Sequence, residues 1–196
     1  MKTFLIFLIS YLIGSIPNAY VITKIVKKID IRSVGEGNVG ARNVWHVVSP
    51  FWGIFVFFLD FLKGVITYLI SFYFLRDNLL IWLCGIFAVI GHGFPIFLKF
   101  RGGKGMATAS GFLFSKFPEC VLMGTLLYLI LFLLTKNFHL SITIAIIITL
   151  FVFYPLFKEP FNEIIMSIFF LILLGIKRII DEPYMRKIKA QNSYWK

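Results

Sequence analysis

Two short stretches of this chain combine glycines with cations at spacings that suit anion binding. Residues 35–43 read Gly-Glu-Gly-Asn-Val-Gly-Ala-Arg-Asn, and residues 99–105 read Lys-Phe-Arg-Gly-Gly-Lys-Gly. Closely spaced glycines (Gly35, Gly37 and Gly40, then Gly102, Gly103 and Gly105) let backbone approach a ligand and turn N–H groups toward it. Arg101 and Lys104 add point charges. The run after them, Met106–Ala107–Thr108, reads as a helix start whose positive dipole end would face the same ligand. Phosphate fits this chemistry best.

Neither stretch is a nucleotide fingerprint. The G-x-G-x-x-G spacing of Gly35–Gly40 has dinucleotide meaning only inside a βαβ unit, whereas this loop lies between two apolar helices. Residues 99–105 do not satisfy G-x-x-x-x-G-K-[ST].

Other ionisable residues stand out because their neighbours are apolar. Asp60 and Lys63, in Phe-Leu-Asp-Phe-Leu-Lys-Gly, are three apart and share a helix face, where they can neutralise each other or orient a partner from the loops. His92, in Gly-His-Gly-Phe-Pro, precedes the second cationic stretch and can hydrogen-bond a substrate or that loop's backbone. His46 and His139 are weaker candidates. Glu163 reads as an interfacial or helix-capping residue. Cys84 and Cys120 sit in apolar runs without metal-ligand spacing and read as small buried hydrophobes. No metal site is expected.

The elements that must hold these residues are set by composition. Of 196 residues, 59% are hydrophobic and 15% charged, more apolar surface than one soluble core can hide, so lipid must cover the excess. The expected fold is an all-α integral membrane protein of one domain, residues 1–196. Apolar segments run over Phe4–Ile25, Phe51–Phe74, Leu79–Phe97, Met106–Ser115, Cys120–Thr135, Leu140–Phe157 and Ile164–Ile176, with the fourth short for a ~30 Å hydrocarbon core. No A-x-A-like cleavage site marks the first as a signal peptide. Counting seven spans puts Lys24–Pro50, Lys99–Gly105, Lys136–His139 and the basic tail from Lys177 on one side, which the positive-inside rule makes cytoplasmic, with the amino terminus outside.

Taken together, Gly14–Ser15–Ile16–Pro17, Gly35–Val44, Asp60–Gly64 and Gly91–Gly111 (GHGFPIFLKFRGGKGMATASG) resemble, in this order, the bacterial acyl-phosphate glycerol-3-phosphate acyltransferase family, PlsY. The resemblance covers most of the chain. It implies a seven-span enzyme of the bacterial inner membrane, with its active site facing the cytoplasm. Such an enzyme moves a fatty acyl group from acyl phosphate to the 1-hydroxyl of glycerol 3-phosphate, giving lysophosphatidic acid. Its partners are those two substrates and membrane lipid. No cofactor or nucleic acid is expected, and oligomeric state is left open.

On this resemblance Lys104, Arg101, His92 and Asn43 are the candidate catalytic groups. The candidate substrate-binding set is Gly35, Gly37, Asn38, Gly40, Arg42, Asp60, Lys63, Gly102, Gly103, Gly105, Thr108 and Ser141. A His-x₄-Asp base is absent, since Phe51, Phe97 and Ile144 stand five positions after the three histidines. The anhydride is already activated, so positioning and charge stabilisation can carry much of the rate, with a substrate phosphate accepting the hydroxyl proton.

The chain departs from the family pattern at Glu36, Arg42 and His46, and it lacks the His and Asn that usually come after the last span, reading Lys177–Arg178–Ile179–Ile180–Asp181–Glu182 there. A carboxylate in an anion site needs a cation, and Arg42 is the expected partner of Glu36. Two alternatives stand beside the enzyme: a diverged non-catalytic relative that binds a phospholipid or phosphorylated ligand, and a small membrane transporter.

Overall fold

The computed structural model describes residues 1–191, with the side chains of Phe138, His139 and Lys189 outside the described set. The candidate His139 therefore lies outside the described residues. Among the described residues the chain is helical, without strands.

All seven apolar segments lie on helices. α1 (Lys2–Ser15) and α2 (Asn18–Lys27) share the first; α3 (Ala41–Val47) is a short helix inside the first loop, unforeseen in the sequence. α4 (Pro50–Phe74), α5 (Asn78–Gly93), α6 (Met106–Lys116) and α7 (Pro118–Thr135) come next. α8 (Phe138–Ile148) runs through a π-turn over Thr149–Phe153 into α9 (Tyr154–Leu156), and α10 (Phe161–Gln191) ends the described chain. Ser49, Asp77 and Asn137 cap α4, α5 and α8 by accepting from the backbone N–H of Trp52, Leu80 and Leu140.

Lys2–Lys27, Pro50–Phe74, Asn78–Leu98 and Pro118–Thr135 are long and apolar enough to cross a bilayer, and Leu140–Leu156 is a shorter apolar stretch. α6, with 11 residues, extends only about 16 Å and is short as expected.

Two features lie beyond what the apolar runs show. The first segment is not one continuous helix, because it breaks at Ile16–Pro17, where Pro17 has no N–H to continue the helical ladder. The basic tail from Lys177 is helical, because α10 continues through it to Gln191 despite Pro183.

The contacts fall into two compact units, Met1–Phe112 with the helix from Leu173 onward, and Leu113–Ile172. In the first, glycines bring helix backbones together. A Cβ at Gly14 would stand 2.0 Å from the Ala88 carbonyl oxygen and one at Gly91 2.2 Å from that of Tyr11, so α1 packs backbone against backbone on α5. Gly64 and Gly111 do the same for α4 and α6, at 2.0 Å from Thr108 O and 1.9 Å from Phe61 O. Such small-residue seams are how helices associate where lipid removes the hydrophobic driving force. The outer face of α4 carries Phe51, Ile54, Phe58, Leu62, Leu69 and Phe72 exposed, a surface suited to acyl chains.

In the second unit, Phe117 packs on Tyr154 at 4.8 Å, and the Tyr154 hydroxyl lies 3.0 Å from that of Ser167. Glu163 lies in the first turn of α10, as a capping position requires, and is buried and paired with Lys116 at 3.4 Å.

Candidate active site

The first glycine loop is built around Asn43. Its amide Nδ2 donates to the carbonyls of Ile31, Val34 and Asn38 at 3.0, 3.1 and 2.9 Å, and its Oδ1 accepts from the Glu36 N–H at 2.8 Å. Fully buried at 0% exposure, this side chain commits its hydrogen bonds to the loop backbone. Gly35 and Gly37 adopt φ of +60° and +70°, and a Cβ at Gly35 would stand 2.2 Å from Asn43 Oδ1. The turn and its hub thus require each other.

The second glycine loop folds back on the end of α5. The N–H groups of Gly102 and Gly103 donate to the carbonyls of Gly93 and His92, both at 3.1 Å, and the Val39 N–H donates to Gly102 O at 3.4 Å. The sequence pattern suggests an anion as the partner of these amides; instead they close the end of α5. The glycines serve close approach: a Cβ at Gly103 would sit 2.3 Å from His92 Nε2 and 2.6 Å from Val39 O. Gly105, at φ +80°, turns the chain into α6.

This docking brings Lys104 onto the first loop. Its Nζ lies 3.3 Å from Glu36 Oε2, which also accepts from Asn38 Nδ2 at 2.9 Å, while Arg42 Nε lies 3.0 Å from Oε1. The expected Glu36–Arg42 pair is present, with Lys104 as a second cation. Burial alone would raise the Glu36 pKa, but Lys104, the Asn38 amide and Arg42 outweigh it and hold the carboxyl below its ordinary value. Glu36 is therefore an anion at neutral pH.

Arg101 makes different contacts. Its guanidinium stacks 5.5 Å over the Tyr184 ring, and both line an open cavity of about 520 Å³ with Asp30, Arg32, Ser33 and Lys99. Arg32 is held by Asp30 at 2.6 Å, a hydrogen-bonded pairing that keeps the Asp30 carboxyl below its usual range.

Beneath the loops, Asp60 Oδ1 lies 2.7 Å from Lys63 Nζ and 3.0 Å from Asn18 Nδ2. Lys63 also donates to the carbonyls of Gly14 and Ile16. The pair thereby bridges the break in the first span, satisfying carbonyls that α1 leaves open at its end. His92 Nδ1 lies 3.3 Å from Thr108 Oγ1 and 3.9 Å from Asp60 Oδ1. Asp60, Lys63 and His92 line a void of about 10 Å³, the room of about one water.

Three contributors were not foreseen from the sequence. Asn18 joins Asp60. Lys177 is buried at 6% exposure, bonded to Asp181 and 4.7 Å over the Phe94 ring. Tyr184 donates to Arg32 O at 3.0 Å, and on the same helix Ile188 packs against Gly37. The four-residue spacing of Lys177 and Asp181 was the one available signal. Ser141 lies in the second unit, where its hydroxyl donates to Asn137 O at 2.8 Å and sits 2.9 Å from that of Thr135. His46 lies in the last turn of α3.

Comparison with known proteins fits this arrangement. Residues 4–182 match the family model described as glycerol-3-phosphate acyltransferase. The chain belongs to that family. The glycerol-3-phosphate acyltransferase of Aquifex aeolicus is 42% identical over 169 residues, 86% of this chain and 87% of the relative. That of Bartonella henselae is 41% identical over 150 residues, 75% and 71% of the two chains. A crystal structure of PlsY, an integral membrane glycerol 3-phosphate acyltransferase, in its glycerol 3-phosphate form superposes with a TM-score of 0.80 at 34% identity, covering 96% of this chain and 94% of that one. Its lysophosphatidic acid form gives 0.78 at 33% over the same shares. This member of the PlsY family is accordingly an integral membrane acyltransferase, all-helical with several apolar spans.

Proposed function

We propose that the chain transfers a fatty acyl group from acyl phosphate to the 1-hydroxyl of glycerol 3-phosphate, with both loops facing the cytoplasm at a bacterial inner membrane. The observation that carries this reading is the meeting of the two loops, which places Lys104 and Arg42 at 3.3 and 3.0 Å around one anionic position. Two cations about a single oxyanion suit a phosphomonoester. The solved relatives named for glycerol 3-phosphate and lysophosphatidic acid support that phosphomonoester being the acceptor.

The chemistry is compact. The acceptor's 1-hydroxyl oxygen attacks the carbonyl carbon of the acyl phosphate, and the bond from that carbon to the phosphate oxygen breaks. The hydroxyl proton leaves on the departing phosphate, and lysophosphatidic acid remains. Lys104 and Arg42 orient the acceptor phosphate, and Asn43 holds the loop that carries Arg42 in shape. Arg101 lines the neighbouring open cavity, where it offers charge to a second phosphate. Buried His92 and Thr108 fix the end of α5 under the second loop.

The deciding experiment is incubation of purified protein with acyl phosphate and glycerol 3-phosphate, with lysophosphatidic acid as the readout. A second reading, a non-catalytic relative that binds a phosphorylated ligand, is favoured by one observation: Glu36 already neutralises part of the cationic site. Phosphate-ligand binding without product would select it.

A further inference from the structure

We propose that Glu36 is a built-in counter-anion competing with substrate phosphate for Arg42 and Lys104, so that phosphate binds by taking over those two cations. The identity of the phosphate rests on the acyl-transfer reading above; the competition does not.

The exposures give the geometry its direction. The Glu36 side chain is 1% exposed, whereas those of Lys104 and Arg42 are 24% and 55% exposed. The carboxylate reaches the cations from the protein side, and their remaining surface faces outward. An incoming phosphate therefore meets two cations already half satisfied from beneath.

Charge balance sets the sign of the effect. Two cations against one carboxylate leave one net positive charge, too little for a phosphate dianion. With Glu36 in place the bound cluster carries an excess negative charge a few ångströms from a buried carboxylate, and like charges at such range repel strongly. With the carboxylate gone, two cations meet a dianion and the charges balance.

Removing the charge leaves the loop intact. Glutamine keeps an oxygen to accept from Asn38 Nδ2, which lies 2.9 Å from Glu36 Oε2. Arg42 and Lys104 reach solvent, so neither is stranded as a buried unpaired ion, the circumstance that makes breaking a buried pair costly. The opposite role, a brace that holds both cations ready for phosphate, predicts the opposite sign on substitution.

The test is equilibrium binding of inorganic phosphate, and separately of glycerol 3-phosphate, to purified wild type and Glu36→Gln by calorimetry. The expected result is binding tighter by on the order of ten-fold in the variant. Adding Arg42→Gln should remove the gain, because one of the two cations is then missing. Unchanged or weaker binding in a folded Glu36→Gln protein overturns the proposal. Should that variant not fold, Glu36→Ser is measured in its place; failure of both to fold makes Glu36 a brace and also overturns it. An acyl-transfer assay on the same samples keeps the two readings apart. Tighter phosphate binding without any lysophosphatidic acid leaves the competition standing and removes the proposed activity, whereas product formation with weaker binding does the reverse.

Discussion

Lys63, on α4, donates to the carbonyl oxygen of Ile16, the residue at which the first span breaks, while Asp60 one turn earlier accepts from Asn18 just beyond the break. An ion pair inside a membrane helix thus acts as a clasp across a proline interruption. Lys63→Met should leave Asp60 buried without its cation and cost about 3 kcal/mol or more. The double variant Asp60→Asn/Lys63→Met should lose less, since no uncompensated charge remains. Thermal unfolding in detergent checks both, and a Lys63→Met protein as stable as wild type would remove the clasp.

Asn43 offers a sharper test of shaping against chemistry. Asn43→Asp keeps the oxygen that accepts from Glu36 N–H but loses the donors to Ile31, Val34 and Asn38 carbonyls. Each unsatisfied buried group costs about 1–3 kcal/mol, so both Asp and Ala variants should unfold earlier and show raised KM for glycerol 3-phosphate. A variant with lost kcat but unchanged stability would instead place Asn43 at the reacting atoms.

Much of this was readable from residue order. The seven apolar runs became helices because hydropathy is a local property, and bilayer thickness fixes how long such a run must be. The pairing of Glu36 with Arg42 was expected from the cost of an unpaired carboxylate. Other features depend on contacts distant in sequence. The N–H groups of Gly102 and Gly103 read as anion donors until α5 ended beside them and supplied the His92 and Gly93 carbonyls. Arg101 and Lys104, three residues apart, read as one cluster. Tyr184, more than 80 positions further on, takes the first, and Glu36, almost 70 positions back, takes the second. The break at Pro17 was hidden because the run stays apolar through it.

Glycine replacements should separate close approach from mere flexibility. Gly103→Ala pushes a methyl to 2.3 Å from His92 Nε2 and 2.6 Å from Val39 O, and the backbone oxygen cannot yield cheaply. Activity should fall by at least ten-fold, with a lower unfolding temperature, a loss typical of overpacking. Gly175→Ala is the control, because nothing lies within 4 Å of its Cβ. In a helix that change should leave stability equal or raise it by about 0.5–1 kcal/mol.

Glu36 and Asp30 contribute to the pH response, their carboxyls both held below their ordinary values of 4.5 and 3.8, while Glu159, pushed up by burial, opposes them. A depressed native pKa means the unfolded chain binds more protons over that window, so stability rises with pH there. The contribution is fully present above the unfolded values and disappears as pH falls through the native ones. Unfolding temperature measured from neutral pH downward should therefore drop below about pH 4.5. Glu36→Gln should flatten part of that slope; an unchanged profile would mean the Glu36 carboxyl binds its proton equally well folded and unfolded.

Lys104 and Arg101 should differ in kind. Lys104 is drawn against the first loop, 3.3 Å from Glu36, at the position where the acceptor phosphate is proposed to bind. Lys104→Ala should lower acyl transfer by about 10²-fold or more, on the scale of losing one preorganised charge-stabilising group, while membrane insertion stays intact and the unfolding temperature falls modestly, because buried Glu36 keeps only Arg42 as a cation. Arg101 faces the open cavity beside Tyr184, where solvent screens its charge. Arg101→Ala should cost less than about ten-fold, appear mainly as a raised KM, and weaken further with added salt. Steady-state kinetics at two ionic strengths distinguishes them: equal losses in kcat would unite the two cations in one site.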